Sequence, residues 1–230
     1  MKKIYNDPRI SVNPLCEYVL STTASKRNSI IKQCKTPVPY ITKWYNQAEE
    51  ILSFYLAQIR DEPKVIYTEA HRLKVKSTDD KMEKKYATAS YEALNAYLSH
   101  ELNVRERLSN YKLEMAVHDS KHKFILKGVQ ISLRPELILR DLDGKEQLGF
   151  VKFYFCKTEP LSKDKGELMA CLTKFYFEHE FGFKFTNENC IVLDVFNGQI
   201  FSAPKAFRRN ISNIEASLVE IADRWDKVLV

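Results

Sequence analysis

Two charged side chains stand in runs that otherwise read as β-strands. Glu136 follows Pro135 in Pro135-Glu136-Leu137-Ile138-Leu139-Arg140, and Lys152 sits inside Phe150-Val151-Lys152-Phe153-Tyr154-Phe155. A charge in an apolar strand needs a partner or a task, because burial strips it of water. Between the runs lies Asp143-Gly144, a hairpin signal. A three-residue loop, Leu142-Asp143-Gly144 with Gly144 left-handed, pairs Asp141 with Lys145 and sets Glu136 opposite Phe150. Glu136, Phe150, Lys152 and Tyr154 then share one sheet face, with Lys152 diagonal to Glu136. A slip of one residue destroys that arrangement. An acid and a lysine so placed suit a functional site, a buried ion pair or two edge-strand charges facing solvent.

The elements around this hairpin come next. Residues 10–60 read as helical: a short helix after Ser11 or Asn13 with Pro14 in its first turn, a second after Thr23 or Ser25, and a longer one over about 43–60. In the last, Trp44, Ala48, Ile51, Leu52, Tyr55 and Ile59 form a core-facing stripe. Residues 74–85 (KVKSTDDKMEKK) read as an exposed linker, and helix resumes over about 82–102. Strands follow from Lys112. Residues 124–140 read as one long or bent strand, with Gly128 and Pro135 as the bends. A helix over about 164–179, an apolar strand at 190–196, a short strand at 199–201 and a last helix over about 206–228 complete the chain. The fold class expected is α+β with an α/β-type core: a helical N-terminal region, 1–80, then a mixed sheet flanked by helices, 81–230.

Pro135-Glu136 and Lys152 together resemble the active hairpin of the PD-(D/E)XK nuclease superfamily. The helix-strand-strand-strand-helix-strand order from residue 83 to 205 resembles its core, with the helix after the lysine strand similar to the RecB-like and Cas4-like branch. The resemblance implies that Glu136 holds Mg²⁺ or Mn²⁺ and that Lys152 orients the attacking water. The position of the second acid is taken by Phe150. Asp143-Gly144-Lys145 spells the triplet, but it lies at the hairpin tip and cannot hold two ligands on one face. A replacement ligand is expected from Glu101, with Glu106 and Glu114 as alternatives, or from Asp194 in the apolar strand. His118 and His122 are spaced for a metal only on a helix, and the segment reads as a turn.

The resemblance makes DNA the expected substrate ahead of RNA. Backbone contacts are expected from Lys205, Arg208 and Arg209 at the start of the last helix, and next from Lys26 and Arg27 in an acid-free stretch. A net charge of +6 suits a polyanionic partner without requiring one. The competing expectation is a non-catalytic adaptor that keeps the fold and binds nucleic acid or a protein. Five scattered cysteines without a C-x-x-C motif point to free thiols in the cytoplasm. The N-terminal stretch lacks an apolar core, so no signal peptide is expected, and no run has the length of a membrane span. Genome defence or carriage on a mobile element would suit a small stand-alone nuclease, by analogy alone.

Overall fold

A computed structural model describes residues 4–37, 44–57, 63–116 and 123–228. The chain begins with a strand that the helical reading did not foresee, β1 (Arg9–Ser11). Helices α1 (Val12–Leu20) and α2 (Ala24–Lys35) follow, the second capped by Thr23, whose hydroxyl accepts from the Lys26 N–H. The described part of the longer helix is α3 (Asn46–Ala57), with Ala48, Leu52, Tyr55 and Leu56 buried; Ile59 falls outside the described residues. The stretch before the charged linker is helical, α4 (Lys64–Lys74). Then comes α5 (Lys81–Leu98), started by Asp80, whose carboxylate accepts from the N–H groups of Met82 and Glu83. After a break at Ser99 and His100 the chain continues as α6 (Glu101–Leu108).

The strand-rich half is β2 (Lys112–Met115), β3 (Lys123–Leu126), β4 (Val129–Ser132), β5 (Leu137–Arg140) and β6 (Gln147–Tyr154). It is followed by α7 (Lys163–Phe181), β7 (Cys190–Asp194), β8 (Ile200–Ser202) and α8 (Phe207–Trp225). Residues 124–140 are not one strand. Lys127 and Gly128, both at positive φ, turn β3 back onto β4 as a two-residue hairpin. The chain then leaves that sheet through Leu133–Glu136 to enter another. The small sheet has the order β1-β4-β3, with β1 parallel to β4; the large one has the order β2-β5-β6-β7-β8. In the large sheet β6 and β7 are parallel, joined by α7, and the other neighbours are antiparallel. The molecule is thus a mixed α/β protein of the α+β type.

Side chains alternate across β6 and β7 and divide the core. Phe150, Tyr154, Cys190 and Val192 pack toward α1, α2, α7, α8 and the small sheet. Val151, Phe153, Ile191 and Leu193 pack toward α3 to α6. The division expected at residue 80 does not follow this packing. Residues 10–31 share one core layer with 124–225, and α3 and α4 share the other with α5, α6 and four strands of the large sheet. All five residues of β7 are buried, as its apolar sequence implied. The five cysteines are free thiols. Among the described residues no helix is long and apolar enough to cross a membrane.

Candidate functional site

Glu136 lies at the end of the link from β4 to β5, one residue before the strand. Its N–H donates to the Val151 carbonyl at 3.0 Å, and its carbonyl accepts from the Ala116 N–H at 3.0 Å. One carboxylate oxygen accepts from the Phe153 N–H of β6, replacing the strand that would continue there. The other lies 3.4 Å from Lys152 Nζ. That ammonium also donates to the Arg134 carbonyl at 2.7 Å. The Arg134 guanidinium in turn pairs with Glu49, from α3. The side chains of Glu136 and Lys152 are 4% and 12% exposed. Both line a cleft of about 520 Å³ between the two sheets and α3, whose other walls include the start of α1 and Lys123 of β3.

The register differs from the sequence expectation by two residues. The hairpin loop has four residues, since Asp141 N–H bonds the Glu146 carbonyl at 3.1 Å. A bulge near Leu148 adds one more, so Leu137 faces Val151 and Glu136 comes to face Lys152. Two single-residue additions restore the original parity, so the acid and the lysine stay on one side of the sheet. Phe150 is fully buried and stacks on Phe177, with ring centroids 5.6 Å apart. It is a core residue and stands away from the cleft lining.

Burial lifts the Glu136 carboxyl above the ordinary glutamate range. The Lys152 ammonium opposes that rise, Glu49 adds to it, and the Phe153 N–H and Arg134 oppose it further. A carboxyl with a higher pKa folded than unfolded holds its proton better in the native state. Its contribution to stability is complete below the unfolded glutamate pKa and is lost as pH rises through the raised one. Denaturation in EDTA is expected to show stability falling with pH above about 4.5, with a limiting slope of about 1.4 kcal/mol per pH unit. Glu136→Gln should flatten that slope, and an unchanged slope would assign it to another group.

The remaining expected ligands are elsewhere. Asp194 is wholly buried, and its two oxygens accept from the N–H groups of Leu161, Phe196 and Asn197 and from Asn197 Nδ2. Four donors fill a carboxylate's acceptor sites, so Asp194 is a structural anchor and not the metal ligand the sequence suggested. Glu101 is buried in the α3–α6 layer, where it accepts from the Tyr55 hydroxyl at 2.6 Å with Arg105 3.7 Å away. It does not line the cleft. Among the described residues no three His, Cys, Asp or Glu side chains form a metal-binding group. His118 and His122 fall outside the described residues. No family model, curated protein or solved structure matches this chain.

The expected phosphate-binding groups fall into two sets. Lys205, Arg208 and Arg209 are exposed at the start of α8, and Lys26 is exposed on α2. Arg27 is committed to packing: it bonds Glu220 of α8 at 2.9 Å and the Ser21 carbonyl at 3.1 Å. Glu220 lies near the other end of α8 from Arg208, more than about 15 Å away along a helix rising 1.5 Å per residue. Arg27, held against Glu220, and Arg208 therefore stand toward opposite ends of α8.

The cleft residues missed in the sequence include Glu49, Asn46, Lys123, Arg134 and Ser11–Asn13 at the junction of β1 and α1. Spacing alone carried one signal, Asn46 and Glu49 on one helix face, but nothing local tied that face to Glu136. Buried lysines also prove less diagnostic than the sequence implied. Lys165 bonds Glu17 at 2.7 Å and Lys174 bonds Glu178 at 2.5 Å, both largely out of solvent. What sets Lys152 apart is the cleft beside it.

Proposed function

We propose that this chain is a metal-dependent, nuclease-like protein acting on DNA. The observation that carries this reading is the Glu136–Lys152 pair, from adjoining segments of the large sheet, on the wall of a cleft that also holds Glu49. The strand order supports it. Three antiparallel strands, a crossover helix and a fourth strand parallel to the third follow the order of the PD-(D/E)XK core, with the β3–β4 hairpin as an insertion.

Glu136 and Glu49 supply oxygen donors of the kind Mg²⁺ or Mn²⁺ takes, and Asn13, whose Oδ1 has no hydrogen-bond partner among the described residues, lines the same cleft. Two carboxylates fit an ion that keeps several of its own waters, and they would be its holders here. When bound, the ion lowers the pKa of a water and offsets phosphate charge. Lys152, fixed by the Arg134 carbonyl, is placed to hold a water by hydrogen bonding, and Lys123 and Arg134 offer charge to the phosphate. A cytoplasmic location fits the free thiols.

The test is cleavage of supercoiled and linear DNA with Mg²⁺ or Mn²⁺. Wild type should cut, Lys152→Met and Glu136→Gln should lose at least a hundredfold in rate, and Glu49→Gln at least tenfold, in line with the loss of a positioned catalytic group. An inactive wild type would end the catalytic reading. Phe150 in the core favours a second reading, a non-catalytic adaptor that binds nucleic acid or a protein. Metal-independent DNA binding without cleavage would support it.

A further inference from the structure

A second groove, of about 490 Å³, runs along α5 beside the start of α3. Trp44, Lys81, Lys84, Lys85 and Glu92 line it. The α5 positions are spaced by three, four and seven, so they share one helix face. The three lysines are exposed, and among the described residues none has an acidic partner. Three of the nearby acids are engaged elsewhere: Glu83 pairs with Lys76 at 2.6 Å, Glu92 pairs with Lys157 at 2.9 Å, and Asp80 caps α5, while Asp79 lies exposed before Lys81. Trp44 is held in place, its ring edge-on to Tyr86 with centroids 5.5 Å apart and its carbonyl accepting from Ser90 Oγ at 3.4 Å.

A fixed indole beside three unneutralised ammonium groups matches a chain with flat rings and regularly spaced anions. Nucleic acid has both, and its bases offer their faces only when single-stranded. An acidic peptide satisfies the lysines but leaves the indole unused. The groove and the cleft share no lining residue, but one short segment borders both. Tyr45 stacks on Phe155 with centroids 5.3 Å apart, and Phe155 and Asn46 line the Glu136–Lys152 cleft. Residues 44–46 therefore touch both.

We propose that the Trp44–Lys81–Lys84–Lys85 groove binds a single-stranded nucleic-acid segment and leads it to the cleft. The binding stands on the groove alone, while the route to the cleft rests on the nuclease reading. The test uses the full chain in EDTA with a labelled oligothymidylate of about 12 nucleotides, read by anisotropy across a salt series. The Lys81→Ala/Lys84→Ala/Lys85→Ala variant should bind at least tenfold more weakly at low salt. Its log–log salt slope should be shallower by about 2, for three lost phosphate contacts.

Tryptophan emission gives a second readout. Trp225 is 1% exposed, so quenching on binding reports Trp44. Trp44→Phe should keep most of the affinity and Trp44→Ala should lose it several-fold. The lysine variant should melt like wild type, because the replaced side chains are exposed. Unchanged affinity in that variant would overturn the proposal. So would equal binding of a duplex, or displacement by poly-glutamate at equal charge concentration. Oligothymidylate bound normally by Glu136→Gln, with no cleavage by wild type, would remove the nuclease reading and leave the groove standing.

Discussion

Lys152→Met should lower the stability of the metal-free protein by about 3–5 kcal/mol near pH 8, the range for breaking a buried ion pair, and by much less near pH 5. Removing the ammonium leaves Glu136 with the Phe153 N–H as its close buried partner. Near pH 8 that means a desolvated anion. Near pH 5 the carboxyl, already shifted upward by burial, takes a proton instead. Glu136→Gln should cost less at either pH, because the amide oxygen still serves Phe153 and Lys152 still has the Arg134 carbonyl. Urea titrations in EDTA at both pH values give these differences. Mg²⁺ adds the functional arm, since a ligand of the native state raises apparent stability. It should raise the melting temperature of wild type and Lys152→Met but not of Glu136→Gln. Losses independent of pH, with no Mg²⁺ effect in any protein, would reduce the pair to a strut.

Asp194→Ala should cost more than about 4 kcal/mol, in the exceptional range for one substitution. The carboxylate gathers the loop before α7, through Leu161, and the turn after β7, through Phe196 and Asn197. Alanine strands three backbone N–H groups, each costing about 1–3 kcal/mol when buried and unpaired. Asp194→Asn keeps one acceptor and should fall between. Urea denaturation measures both, and a loss below about 1 kcal/mol for alanine would mean that water replaces the carboxylate without difficulty.

The helices of the second half were legible because their patterns are local. Ile211, Ile214, Leu218, Ile221 and Trp225 repeat at three and four, and all are buried. The apolar run at β7 likewise declared its place inside a sheet. The Glu136–Lys152 register was half legible. Parity held, but the bulge at Leu148 arises where Gly149 meets the Asn189 backbone, a contact between residues forty positions apart. Any Cβ at Gly149 would lie 2.1 Å from the Asn189 carbonyl oxygen, so the bulge and the glycine go together. Glu49 was illegible for a related reason. On its own helix it is one more solvent-side acid, and only the packing of α3 beside the β4–β5 link brings it to Arg134. Asp194 was misread because a buried carboxylate serves N–H donors as readily as cations.

The pairing of β1 with β4 has a consequence for the order in which the molecule forms. Arg9 to Ser11 meet Gln130 to Ser132, residues more than half the chain apart, and Ser11 with the first residues of α1 lines the cleft. Closing so large a loop is entropically unfavourable until other contacts have shortened it. The layer of α3 to α6 can gather from nearer neighbours. On a ribosome, the cleft wall built by β1 and the start of α1 must wait until β4 has emerged. Until then β1 is without its strand partner, open to pairing with a strand from another chain.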